Sequence, residues 1–118
     1  MSDETEAKQP AATKAEAWNT GPQTHRLPSG NLVTARAANL YVWTKTGQIP
    51  EKIMNTLRLL AEAGDVTMEE RMAAIEWQLA KCIVEPSISL TPKEGCLCID
   101  EIADPDKDIL VMLLGISG

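Results

Sequence analysis

The chain has 118 residues, 44% of them hydrophobic, carries a net charge of −6 and contains no phenylalanine. That length supports one modest aliphatic core of Leu, Ile, Met and Ala, because an ordered body of roughly 95 residues hides only about 60–65% of its unfolded surface. The acidic balance argues against a nucleic-acid backbone as partner, since counterion release needs clustered Lys and Arg.

Residues 1–22 are rich in Ala, Glu, Lys, Thr and Pro, with Trp18 their single large apolar side chain. Such a segment cannot bury enough surface to offset its ordering entropy, so 1–22 is expected to be a disordered tail, with 13–18 at most a fraying helical turn. Trp18 is either a solvated linker residue or a hook for the body or a partner. The start Met1-Ser2-Asp3-Glu4 lacks the basic cluster and apolar run of a secretory signal. No apolar run reaches the ~18–20 residues that cross a bilayer, so no membrane partner is expected.

Residues 23–118 are expected to form a single small domain. Its densest plan lies in Arg26–Pro50, RLPSGNLVTARAANLYVWTKTGQIP. Pro28-Ser29-Gly30 is a turn signal, and Leu32-Val33 begins a strand that pairs back onto the segment around Leu27. A short helix follows from about Ala37, with Leu40 and Trp43 three apart on one face. Gly47 stands where a glycine ends a helix, and Pro50 is set for the first position of the next. Over Pro50–Ala63 the residues Ile53, Met54, Leu57, Leu60 and Ala61 recur at three and four, and Gly64 closes that second helix.

Thr67-Met68-Glu69-Glu70 has the spacing of a capping box, Thr at N-cap and Glu three residues on. The third helix then runs to about Cys82, with Met72, Ile75, Leu79 and Cys82 along one stripe and Trp77 packed at its edge or exposed. Ser87-Ile88-Ser89-Leu90 alternates as a half-buried extended segment does, and Cys96-Leu97-Cys98-Ile99 reads as a short strand returning against it. Asp104 as N-cap and Pro105 at the first position open a last helix that ends at Gly115. Its run Ile109–Leu114 is apolar on all sides, which marks either burial on most faces or a surface for another protein. The fold class is therefore a mainly α-helical α+β domain: a small N-terminal β-hairpin, three helices, a short extended segment and a terminal helix.

Candidate chemistry is sparse. His25 with Cys82, Cys96 and Cys98 makes four potential zinc ligands, but C-x-C without a second close pair is not a zinc knuckle, and a strand turns Cys96 and Cys98 to one face as small apolar residues. An odd number of cysteines without framework spacing suggests free thiols in a reducing compartment. Asp104, Asp106 and Asp108 match the opening ligands of a calcium loop, yet its glycine position holds Ile109 and its closing glutamate position holds Gly115. The sole histidine, His25, precedes a tight turn and has no nucleophile elbow with which to build a triad. The glycines are scattered one per turn rather than gathered into a phosphate loop. Neither catalysis, nor a metal, nor a cofactor is expected. Charge is polarised instead: Glu94–Asp108 carries six carboxylates against Lys107 alone, whereas His25–Arg58 is mildly basic. Such polarity can select a partner.

Three pieces taken together resemble the tail assembly chaperones of tailed bacteriophages: Arg26–Val33 (R-L-P-S-G-N-L-V), Gly47–Pro50 (G-x-I-P) and the acidic step Ile99–Lys107 before a final apolar helix. The resemblance covers about residues 26–114. It implies a non-catalytic, cytoplasmic role in the infected host, in which the protein holds the long helical tape-measure protein, and possibly meets the tail-tube protein, until the tube polymerises. It also implies a monomer or small homo-oligomer. On this reading the partner-binding residues are Leu40, Trp43, Leu110, Leu113 and Leu114. Two other classes compete: a phage structural or head–tail joining protein, which would form a ring, and an acidic inhibitory binding protein acting through the carboxylates at 94–108.

Overall fold

The computed structural model describes residues 11–18 and 21–118; the rest of the expected disordered tail, 1–10 and 19–20, lies outside the described residues. Ala15–Trp18 form a single helical turn, α1, with Trp18 exposed and its indole N–H donating to Thr13 O at 3.3 Å. Strands β1 (Gln23–Arg26) and β2 (Leu32–Ala35) then pair antiparallel, with Arg26 opposite Leu32. The turn between them is closed by Leu27 N to Asn31 O at 2.9 Å and Gly30 N to Leu27 O at 2.8 Å. Gly30 sits at φ +92°, a conformation that the missing Cβ makes accessible.

A third strand joins this hairpin. β3 (Ile83–Glu85) follows helix α4 (Met68–Cys82) without a loop and pairs antiparallel with β2, giving the order β1-β2-β3 with a register irregularity between Thr34 and Ala35. The sequence offers no signal for this strand, because three residues are too few to show an alternation. A second, two-stranded sheet is formed by β4 (Ile88–Ser89) and β5 (Leu97–Cys98). The expected return of 96–99 against 87–90 is corrected in direction: the strands run parallel, Ile88 opposite Leu97. The chain crosses over rather than turning back, and a short 3₁₀ helix, Ile99–Glu101, follows at once.

The helices are α2 (Leu40–Lys45), α3 (Glu51–Ala61), α4 and α5 (Asp104–Leu114). Asn39 caps α2 through its side chain, accepting from Val42 N at 3.2 Å. Pro50 is the N-cap of α3 rather than its first residue. α4 opens on the expected capping box: Thr67 N donates to Glu70 Oε1 at 2.9 Å and Glu70 N to Thr67 Oγ1 at 3.1 Å. At α5 the N-cap is Ala103, not Asp104, which becomes the first helical residue and meets the helix dipole from there.

Three helices end in the same pair of hydrogen bonds. Gln48 N to Trp43 O and Gly47 N to Thr44 O close α2; Gly64 N to Leu59 O and Ala63 N to Leu60 O close α3; Ile116 N to Val111 O and Gly115 N to Met112 O close α5. The left-handed residue is Gly47 (φ +68°) in the first and Gly115 (φ +69°) in the last. In α3 it is Ala63 (φ +57°), so the glycine expected to stop that helix stands one residue too late.

The core gathers both ends of the chain. Leu27, Val33, Ala35 and Ile83 of the hairpin sheet pack against Leu79 and Cys82 of α4, Ile99 and Ile102, Leu110 and Leu114 of α5, and Ile116. Of the stripe expected on α4, Leu79 and Cys82 are buried and Ile75 packs against the core, whereas Met72 is exposed. The buried line runs through Ala74, Gln78 and Cys82, with Leu79 beside it. Gln78 is fully buried because its amide is used: Nε2 donates to Ser117 O at 2.6 Å and Ala74 O at 3.1 Å, and Oε1 accepts from Ser117 N at 3.1 Å. That double bond ties residues 116–118 onto α4.

Candidate functional site

The apolar stripe of α3 lacks a full cover. Of Ile53, Met54, Leu57, Leu60 and Ala61, only Ile53 is buried; Met54, Leu57 and Leu60 are half-buried and Ala61 is exposed. No α3 residue belongs to the main core cluster, and the helix packs chiefly on α4. α2 meets α4 through Trp43, which packs edge-on against Trp77, ring centroids 5.4 Å apart at 88°. Lys81 reinforces this junction, its ammonium 5.8 Å from the Trp77 ring centroid and donating to Gln48 Oε1 at 2.6 Å.

Between α2, α3, the first turns of α4 and the chain end runs a cleft of about 600 Å³, walled by Leu40, Leu57, Leu60 and Ala63, with Arg71 at its side. On the outer side of α2, Tyr41 is 80% exposed and Val42 42%. Two half-uncovered amphipathic helices beside an open cleft make an apolar surface of the kind that receives another helix.

The expected partner-binding residues separate. Leu40 lines this cleft, and Trp43 is half-buried against Trp77, a packing residue at the base of α2. In α5, Leu110 (0% exposed) and Leu114 (2%) are core residues, which corrects their assignment as contact residues. An 11-residue helix that closes the sheet turns Leu110 and Leu114, four apart, into the core; Met112 and Leu113 are left outside, with Leu113 46% exposed. Sequence reasoning did not single out Tyr41 and Val42 as exposed, and it placed Leu57 and Leu60 on an apolar face without assigning that face a cover. Periodicity reports which face is apolar, not whether anything covers it.

The acidic step is partly internal. Asp106 is 3% exposed; Oδ1 accepts from Ser29 N at 3.0 Å and Oδ2 from Ser29 Oγ at 2.5 Å, fastening the hairpin turn to the start of α5. Cys82 lies in the core, where burial pushes its thiol up to about 11, out of the range of a nucleophile. Cys98 is buried and Cys96 half-buried, both as free thiols. His25 sits half-buried on β1 opposite Val33. Among the described residues no group of three or more His, Cys, Asp or Glu side chains is placed to hold a metal ion, and no helix is long and apolar enough to cross a membrane. The chain matches no protein-family model, no curated protein and no solved structure.

Proposed function

We propose that this protein is a tail assembly chaperone of a tailed bacteriophage, which binds helical segments of the tape-measure protein in the host cytoplasm and catalyses no reaction. The observation that supports this reading best is the partly uncovered α2–α3 face, an apolar cleft with Leu40, Leu57 and Leu60 in its wall and Tyr41 and Val42 beside it. A holdase for a long amphipathic partner needs such a surface and needs no reaction centre. The three motifs at Arg26–Val33, Gly47–Pro50 and Ile99–Lys107 support the same assignment by resemblance.

The test is co-expression with the tape-measure protein of the same phage, using this chain as bait. The expected result is a soluble, co-purifying tape-measure protein, whose capture is lost when Leu57→Asp and Leu60→Asp are combined. Circular dichroism of the purified variant must remain helical for that loss to count as a surface effect. An insoluble tape-measure protein, together with a bait that elutes alone as a ring-sized oligomer, would overturn the reading in favour of a joining protein.

A further inference from the structure

A second cleft, of about 340 Å³, opens between the hairpin turn and α5 and shares no lining residue with the α2–α3 cleft. Its walls are Leu27, Val33, Ile88, Leu97, Ile102 and Leu110, drawn from both ends of the chain. That volume holds one or two aliphatic side chains and is too small for a helix, so an occupant enters side chain first. At the mouth stands Leu32, a large apolar residue that is 54% exposed, beside the half-buried Ile88 and Leu97. Among the described residues, the charged ones in the lining are Glu101 and Asp106, both acidic. In the same acidic step Asp100, Asp104 and Asp108 are exposed. The single cation of that stretch, Lys107, is turned to Glu76, 4.0 Å from its Oε2. On the hairpin side Arg26 reaches the carbonyl of Gly30 at 3.4 Å. Within the described residues Glu101 uses one oxygen, Oε1 accepting from Cys98 N at 2.9 Å.

We infer that this cleft is an anchor socket for a basic, apolar helical segment of the partner protein: an aliphatic side chain enters, and a Lys or Arg one helical turn away meets Glu101. Charge complementarity selects that occupant. Asp106 is already held by Ser29, so the exposed Glu101 carries this selection: an acidic or neutral segment would bring no compensation to the carboxylate it desolvates, whereas a cation satisfies its second oxygen and steers the encounter. The inference rests on the reading that this chain holds a helical partner, and it adds which feature of that partner is gripped.

The test uses the full chain with labelled Ile, Leu and Val methyl groups and two synthetic helical peptides of about 18 residues. Both carry the same leucine stripe; one has lysine on its polar face and the other glutamate. The lysine peptide is expected to shift the methyl signals of Leu32, Ile88 and Ile102 and to bind about tenfold tighter than the glutamate peptide. Glu101→Gln keeps the acceptor for Cys98 N and removes only the charge; it should weaken the lysine peptide about threefold and leave the glutamate peptide unchanged. Equal affinity for the two peptides overturns the socket. Shifts confined to Leu40, Leu57 and Leu60 also overturn it while leaving helix binding at α2–α3 in place. If neither peptide binds, the socket is wrong, and the co-expression experiment judges the chaperone reading on its own.

Discussion

Ala63 holds a backbone position that two other helices of this chain give to glycine. Its φ of +57° matches the +68° of Gly47 and the +69° of Gly115, and all three residues sit between the same two capping bonds. An L-residue there brings its Cβ close to the neighbouring carbonyl oxygen, a strain of roughly 1–2 kcal/mol that glycine does not carry, while glycine's extra unfolded-state entropy returns part of the difference. Ala63→Gly is therefore expected to stabilise the protein by about 0.5–1 kcal/mol, read as a higher urea midpoint at unchanged slope. A midpoint that stays put or falls would show that the position carries no strain. The neighbouring Gly64 is not interchangeable with it. A Cβ on Gly64 would lie 3.0 Å from Leu59 Cδ2, so that glycine serves a close approach and not the left-handed turn. From sequence the two demands cannot be separated, which is why the helix stop was placed one residue late.

At the scale of elements, the capping box of α4 couples stability to pH. The carboxyl of Glu70 is held below its ordinary value, first by the Thr67 N–H and then by the Thr67 side chain. A depressed carboxylate favours the folded state when ionised. Its contribution is complete above the unfolded-state value of 4.5 and is lost as pH falls through the lower folded-state value. Thermal denaturation between about pH 6 and pH 3 should thus fall less steeply for Glu70→Gln than for the unmodified chain; parallel curves would remove the capping box from the acid response. This element was legible in advance, as were the hairpin around Gly30 and the glycine ends at 47 and 115, because each is written within four or five consecutive residues. What escaped was non-local or too short. β3 has three residues, the parallel β4–β5 pair has two each, and the burial of Gln78 in α4 depends on a partner, Ser117, that lies 39 positions on. The candidate surface was half legible for the same reason: Leu40 and Leu113 were found, but the cover over Leu110 comes from residues more than seventy positions away, such as Leu27 and Val33.

For the whole molecule, the first hairpin and the last helix are one structure, joined through Asp106 and the core between them. Asp106→Ala would leave the Ser29 N–H and hydroxyl without their charged acceptor; a cost of about 2–3 kcal/mol is expected, with faster amide exchange at Ser29. The same architecture separates folding from binding along α5, where two leucines three apart have opposite fates. Leu110 is fully buried at the centre of the core, whereas Leu113 is nearly half exposed beside an exposed Met112. A carboxylate at 110 has no partner among Leu27, Val33 and Ile102, and an unpaired buried charge costs far more than the marginal stability of a domain this small. Leu110→Asp is expected to abolish folded, soluble protein. Leu113→Asp should change stability by about 0.5 kcal/mol or less, because its carboxylate remains in water. If the proposed chaperone reading holds, combining Leu113→Asp with Met112→Asp should reduce tape-measure capture only if this end of α5 continues the partner surface. A folded double variant with undiminished capture confines binding to the α2–α3 face and the hairpin cleft. A Leu113→Asp chain that unfolds as Leu110→Asp does would mean that both sides of α5 are covered, and that the helix closes the core on every face.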